Sequence, residues 1–400
     1  MDPGRPLVMT SPACRIVSWV IIMVILVATS VSLAALEVEE LADNSAAKLT
    51  VLGNGVFLRG QYQTAISYYE QARERDRSYF YAAFNLGLTH HRLAALSDDR
   101  STATEHYRQA RMAFQQAAEL RRDNPEVHSS LGLLAFETGD VNLAVSHFQA
   151  AINAASQGDE RAGYYFNLGT ALERLNDLDG AQRAYEQCLE LSPRHFNALY
   201  NLGTLHLRRN APRAAERLLR QAREANPRRP EPLLNLAILA ERHGTEDPLA
   251  LLDAAVQAAT NHHPRLLTRA LWHRASYFQR ATIAGVPTKI RMKNDLEEIL
   301  RHDPQHPQVN ALLGEYHESL AEYDRAIAYF EREIAAGHDS PAALEARQKA
   351  HFRLAIIYSQ HRRHPDKALA HVEAYYQLRP DASDALRERA LGILDGSQEP

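Results

Sequence analysis

Two patterns of apolar residues divide the chain. Residues 16–36 form a largely apolar run, whereas from about residue 46 onward apolar and small residues recur at spacings of three and four. Such spacings place side chains on one face of an α-helix, because the helix has about 3.6 residues per turn. The first pattern is typical of a membrane-spanning or signal segment and the second of amphipathic helices packed together.

The stretch 162–195 shows the second pattern clearly. One helix face is marked by Leu168, Gly169 and Leu172, a polar turn follows at 176–180, and a second face is marked by Ala181, Tyr185 and Cys188. Pro193 ends the unit, because proline does not continue a helix interior. The same order of residues recurs along the chain, and the pattern predicts nine units at 46–79, 80–124, 125–158, 162–195, 196–229, 230–265, 266–306, 307–340 and 348–382.

A helix-turn-helix unit of 34 residues with the order Leu-Gly, Ala, aromatic, Ala, Pro resembles the tetratricopeptide repeat family. The resemblance implies an all-α fold, an α-solenoid of tandem repeats forming a right-handed superhelix, with first helices lining its concave surface. A capping helix is expected at 383–395, before a tail at 396–400. Three details are less regular: a polar insertion at 95–105 that should lengthen a turn, an ambiguous register in the second helix of unit six, and a loop near 284–287.

The apolar run at 16–36 has basic residues before it and acidic residues after it. The positive flank predicts a cytoplasmic n-region at 1–15, with the chain beyond a linker at 37–45 translocated across the membrane. An uncleaved signal anchor, a cleaved signal peptide and a misread buried helix all remain open. Because no Asn-x-Ser/Thr sequon occurs in the chain, we expect a bacterial periplasmic setting, either membrane-anchored or secreted to the periplasm.

Composition points away from chemistry in the chain itself. The 400 residues carry a net charge of −4, with 19 histidines but only 2 cysteines, and no motif of a catalytic or zinc site emerges. Cys188 stands where other units carry alanine, which favours a small core residue. His90 and His206 stand at a core position of their first helices. We therefore expect no enzyme activity, no cofactor, no metal and no nucleic-acid partner.

Four first helices share a feature that packing does not require: an asparagine directly before the core Leu-Gly or Leu-Ala, and an arginine seven residues later. Two turns separate the pair, so both side chains lie on one helix face. By the resemblance, the asparagines would bind the backbone of a peptide in the concave groove and the arginines its carboxylates. The candidate groove residues, with three neighbouring aromatics, are Asn85, Arg92, Asn167, Arg174, Asn201, Arg208, Asn235, Arg242, Phe84, Phe166 and Tyr200.

Two alternatives stay open at this point. The asparagines could instead hydrogen-bond helices of neighbouring units to each other, which would be a structural use. A second candidate surface is a basic face on the second helix of unit five, formed by Arg213, Arg217 and Arg220. It is either a solvated convex face or a contact for an acidic partner, anionic headgroups or glycans.

The sequence thus predicts a non-enzymatic scaffold that binds protein partners or extended peptides and assists assembly of a bacterial envelope or secretion-type complex. The alternatives are a polysaccharide- or lipid-associated envelope factor acting through the basic face, and an accessory subunit of a glycosyltransferase or cytochrome-assembly machine.

Overall fold

The computed structural model describes residues 45–378 apart from 157, 245, 261–263, 282–286 and 338–339. Within these ranges all regular structure is helical, as the all-α prediction requires. The chain divides into two compact units, the first ending at Ala225 and the second beginning at Asn226.

In the first unit, odd-numbered helices are the first helices of repeats one to five and even-numbered ones the second helices. They are α1 (Ala46–Leu58), α2 (Tyr62–Arg75), α3 (Phe80–Leu96), α4 (Arg100–Leu120), α5 (Pro125–Thr138), α6 (Val141–Ala154), α7 (Asp159–Arg174), α8 (Leu178–Leu191), α9 (Phe196–Arg208) and α10 (Pro212–Ala225).

The second unit continues the same alternation through repeats six to nine. Its helices are α11 (Glu231–His243), α12 (Pro248–Ala259), α13 (Pro264–Arg280), α14 (Thr288–His302), α15 (Val309–Ser319), α16 (Tyr323–Ala335), α17 (Pro341–Ile356) and α18 (Pro365–Gln377). A π-helical turn at Ile357–His361 extends α17. The register of the second helix of repeat six is now defined, because α12 buries Leu251, Leu252, Ala255 and Ala259.

In six of the nine repeats, the helix pair is held together at a glycine of the first helix. In repeat four, a Cβ on Gly169 would lie only 2.7 Å from the ring of Tyr185 on the second helix. The ring of Phe148 faces Gly132 in the same way, and so does the side chain of Leu219 at Gly203. A larger residue would push the two helices apart, since protein interiors are close-packed. This contact also shows which second-helix residues are equivalent from one repeat to the next.

The turn between the two helices has a common backbone conformation. In six repeats, the residue seven positions after the small residue of the first helix has a positive φ: Gly60, Gly139, Asn176, Asn210, Gly244 and Ala321. Glycine and asparagine tolerate this left-handed conformation, whereas a Cβ makes it unfavourable for alanine. Among these six turns, only that of repeat eight has an alanine at this position, Ala321.

The insertion in repeat two differs from the prediction. Residues 95–105 do not lengthen the turn; they extend α3 to Leu96 and begin α4 at Arg100, leaving a three-residue connection. Asp99 explains the early start of α4, because its carboxylate accepts a hydrogen bond of 2.6 Å from the backbone N–H of Thr102. Such N-capping stabilises the first turn of a helix.

Several predictions fall on residues outside the described ranges. These are the n-region, the apolar segment at 16–36, most of the 37–45 linker, most of the loop near 284–287, the capping helix at 383–395 and the tail. Within the ranges that are described, no helix is both long and apolar enough to cross a bilayer.

Candidate functional site

The structure separates the four repeated asparagines by their burial. Asn85, Asn201 and Asn235 are buried, with at most 6% of their surface exposed, whereas Asn167 is half-buried. A buried amide must find hydrogen-bond partners inside the protein, because leaving it unsatisfied is costly.

Asn85 of repeat two is used for contacts between repeats one and two. The Nδ2 of Asn85 donates to Oδ1 of Asn54 at 2.8 Å, and the hydroxyl of Tyr69 donates to the same oxygen at 2.7 Å. Asn54 lies on α1 and Tyr69 on α2, so Asn85 bonds its helix to α1 and shares its acceptor with the tyrosine of α2. The structural alternative for this asparagine is therefore what the geometry shows.

The same arrangement, with a direct bond, links repeats four and five. The Nδ2 of Asn201 donates to the hydroxyl of Tyr185 at 3.2 Å, and this hydroxyl donates to Oε2 of Glu173 at 2.9 Å. Burial raises the pKa of Tyr185, and the charge of Glu173 adds to the effect, so the hydroxyl remains a donor. Asn201 is thereby occupied by the second-helix tyrosine of the repeat before it.

Asn167 differs because its neighbour cannot form this bond. The second-helix residue of the preceding repeat is Phe148, which packs in one core cluster with Leu168, the residue after Asn167. Phenylalanine has no hydroxyl, and the Asn167 side chain makes no hydrogen bond to any other described residue. Its one acceptor and two donors are therefore available to a ligand.

The arginines follow a parallel rule. Arg208 donates from its guanidinium to Oε1 of Glu173 at 2.9 Å, across the boundary between repeats four and five. The equivalent neighbour of Arg174 is Phe136, and the guanidinium of Arg174 lies over that ring at 5.0 Å from its centroid. A cation–π contact orients the guanidinium but leaves its N–H donors unused. Across the part of the chain described here, exposed Arg174 forms no ion pair with a carboxylate.

Two further arginines complete the comparison. The Nε of Arg92 approaches the hydroxyl of Tyr62 in the preceding repeat at 3.5 Å. Arg242 is exposed on α11, beside Glu241, which pairs with Arg280 of repeat seven at 2.7 Å. Arg92 therefore contacts the preceding repeat, as Arg208 does.

The three aromatic residues predicted to line the groove are buried. Phe84, Phe166 and Tyr200 have exposures of 5%, 3% and 0%. A first helix inside the array is covered by its own partner helix and by the preceding repeat, so more of its circumference is buried than in a surface helix. These rings stabilise the core, and the interpretation of them as ligand anchors does not fit their burial.

The basic face is exposed, as the sequence suggested. Arg213, Arg217 and Arg220 lie along the exposed side of α10, away from buried Ala215 and Leu219. Arg220 forms an ion pair of 2.6 Å with Glu216 one turn earlier. The carboxylate of Glu216 offsets one of the three positive charges, so the four side chains together carry a net charge of +2.

The cysteine and the histidines have structural surroundings. Burial raises the pKa of the Cys188 thiol to about 12, which makes it a poor nucleophile. His90 and His206 are half-buried rather than fully buried. Across the described ranges, no group of three or more His, Cys, Asp or Glu side chains is arranged to hold a metal ion.

Sequence reasoning identified the asparagines and arginines but missed the residues that occupy them. Asn85 is hydrogen-bonded to Asn54, Asn201 to Tyr185 and Arg208 to Glu173. Asn167 and Arg174 instead have Phe148 and Phe136 at the equivalent positions, and these rings cannot form such bonds. The sequence contained this information in the preceding repeat. The residue facing the helix glycine is tyrosine in one case and phenylalanine in the other, and the residue just before the arginine position is glutamate or phenylalanine.

Family models described as tetratricopeptide repeat match three parts of the chain. The matches cover residues 125–194, residues 173–240, and residues 52–103 together with 293–341, which is more than half of the sequence. A comparison with curated proteins gave no match.

Solved structures of similar fold share little sequence with this chain. The C-terminal part of a TPR repeat-containing protein from Cytophaga hutchinsonii is 15% identical, with 66% of this chain and 98% of that chain covered and a TM-score of 0.49. PilW, a type IV pilus biogenesis factor, is 16% identical, with 57% and 100% covered and a TM-score of 0.47. A tetratricopeptide repeat protein from Parabacteroides merdae is 18% identical, with 62% and 93% covered and a TM-score of 0.43. A likeness at this level says nothing about what the chain binds.

Proposed function

Because the chain belongs to the tetratricopeptide repeat family, we propose that it is a non-enzymatic scaffold that holds an extended peptide of a protein partner against α7. The observation that supports this site is the pair Asn167 and Arg174. Both lie on one face of α7, and neither has a hydrogen-bonding partner among the described side chains. Their counterparts Asn201 and Arg208 are both occupied.

The spacing of the pair indicates the ligand. Seven helical residues separate Asn167 and Arg174 by roughly 10 Å along the axis, at about 1.5 Å per residue. An extended peptide covers that distance in about three residues. The amide of Asn167 can pair with a backbone N–H and C=O, and the guanidinium of Arg174 with a carboxylate. The proposed ligand is thus an extended segment with a carboxylate about three residues from the bonded peptide unit.

A displayed library of random peptides tests this site. Peptides selected by the wild-type protein should bind Asn167→Ala and Arg174→Gln about tenfold more weakly in calorimetry, the effect of one lost hydrogen bond or ion pair. Arg183→Gln, which removes an exposed arginine from the second helix of the same repeat, is the matched control. Selected peptides that bind all variants equally would refute the site.

The basic face supports a second candidate function, that of an envelope factor binding polyanions. Arg213, Arg217 and Arg220 are exposed together on α10. Binding of the wild-type protein to vesicles containing anionic lipid, or to an acidic polysaccharide, should fall steeply with added salt. The triple substitution of these arginines by glutamine should abolish binding. Binding that survives it would exclude this surface.

The proposed location is the bacterial envelope, where the scaffold would assist assembly of an envelope or secretion-type complex. The apolar run at 16–36 with its basic flank supports export, with the repeats on the periplasmic side. Protease added to intact spheroplasts should digest the repeats, while fractionation distinguishes an anchored from a secreted form. Repeats that stay protected until the cells are lysed would contradict this location.

A further inference from the structure

We propose that Phe148, a buried residue of repeat three, is a positioning residue that keeps the amide of Asn167 in repeat four available to ligand. This inference rests on the proposed peptide-binding function and deepens it. It explains why Asn167 of repeat four can bind a ligand whereas Asn201 of repeat five is already hydrogen-bonded within the fold.

The geometry of the two repeat boundaries carries the argument. Phe148 and Tyr185 are equivalent, because each ring packs on the glycine of its own first helix, at Gly132 and Gly169. Both rings are buried, with exposures of 1% and 0%. They differ by one hydroxyl, and the hydroxyl of Tyr185 is the group that Asn201 bonds.

The neighbours of the two rings also differ in polarity. The hydroxyl of Tyr185 has Glu173 as its acceptor at 2.9 Å, whereas the residue equivalent to Glu173 in repeat three is Phe136. A hydroxyl added to Phe148 would have an apolar neighbour there. Its available partner would be Asn167, because a buried hydroxyl without a hydrogen bond is unfavourable. The hydroxyl introduced by Phe148→Tyr should therefore accept a hydrogen bond from Asn167, as the hydroxyl of Tyr185 does from Asn201.

The boundary between repeats one and two has a different arrangement. Tyr69 is the equivalent residue of repeat one, packed on Gly53, but Asn85 of repeat two donates to Asn54, an acceptor that it shares with the Tyr69 hydroxyl. In repeat two the equivalent ring is Phe114, and the residue at the asparagine position of repeat three is Ser130. Asn167 is thus the asparagine that follows a phenylalanine in this unit.

The experiment combines Phe148→Tyr with a probe of Asn167 itself. In the full protein, Phe148→Tyr should move the side-chain amide resonance of Asn167 in 15N–1H spectra. It should also weaken binding of a peptide selected by the wild-type protein about tenfold. In the Asn167→Ala background, Phe148→Tyr should change the affinity no further, since the two changes remove the same contact. Phe114→Tyr, which adds the same hydroxyl one repeat earlier, should leave both readouts unchanged.

Each outcome decides the inference. An unmoved Asn167 resonance, or an equal loss of affinity with and without Asn167, would overturn it. If the wild-type protein selects no peptide, the proposed function fails and the resonance alone decides whether Phe148 controls the amide. If Phe148→Tyr does not fold, Tyr185→Phe applies the reverse change: the amide resonance of Asn201 should then move, and an unmoved one refutes the rule.

Discussion

At the scale of single residues, one polar atom distinguishes the surroundings of Asn201 from those of Asn167. Asn201 and Asn167 follow aromatic residues of the same size in the preceding repeat, but only Tyr185 offers a hydroxyl. The same comparison holds for the arginines, with Glu173 in one repeat and Phe136 in the other. A repeated residue therefore need not have a repeated role.

This difference should be visible in stability. Asn201→Ala removes the donor to a buried tyrosine hydroxyl and should lower the free energy of unfolding by about 1 to 2 kcal/mol. Asn167→Ala loses no hydrogen bond within the described structure and should change it by less than about 0.5 kcal/mol. Urea unfolding of both variants measures the contrast. Equal costs would show that the two amides have the same role.

The sequence predicted which residues repeat, but not which of them are occupied. The spacing of Asn167 and Arg174 on one helix face follows from 3.6 residues per turn and needs no tertiary information. Their availability depends on Phe148 and Phe136 of another repeat, so it becomes visible only when neighbouring repeats are compared side by side. The burial of Phe84, Phe166 and Tyr200 was missed for a related reason, since helical periodicity alone does not count the neighbours of a helix.

At the scale of elements, the helix pairs were predictable because small residues and turn residues have strong physical causes. The predicted turn at 176–180 overlaps the connection at 175–177 between α7 and α8, although residues 178–180 already belong to α8, and Asn176 has a φ of 62°. The insertion at 95–105 was misjudged because polar composition is a poor guide to a turn. Arginine, alanine and glutamate are good helix formers, and Asp99 supplies the cap.

The one alanine in the left-handed turn position offers a stabilising substitution. Ala321 has a φ of 58° and is exposed, so no packing contact compensates its strained backbone. Ala321→Gly should raise the free energy of unfolding by about 0.5 to 1 kcal/mol. Gly139, at the equivalent turn of repeat three with a φ of 94°, is the matched control.

Gly139→Ala should lower the free energy of unfolding by about 1 kcal/mol, because alanine would have to adopt the left-handed conformation, which is unfavourable for a residue with a Cβ. No atom within 4 Å would meet the added Cβ, so the effect isolates the backbone. Denaturant unfolding compares the pair. A neutral or destabilising Ala321→Gly would show that the turn relaxes when the side chain is present.

At the scale of the whole molecule, both compact units contain histidines that are more easily protonated after unfolding. Burial lowers the pKa of His90 in the first unit to about 4, with His106 contributing. In the second unit, burial lowers the pKa values of His273 and His351 to about 4 as well. Arg269 and Arg280 add to the shift of His273, and His371 to that of His351.

These shifts predict that the protein loses stability in mild acid. Below the ordinary histidine pKa of 6.5, the unfolded chain binds protons that the folded chain excludes until about pH 4, so stability is complete above about pH 6.5 and falls through this window. For His273 the loss should reach about 1 to 2 kcal/mol by roughly pH 5, allowing for its partial exposure. Urea unfolding across this range should show a shallower decline for His273→Gln than for the wild-type protein. Identical declines would mean that this imidazole takes up its proton equally well in the folded chain.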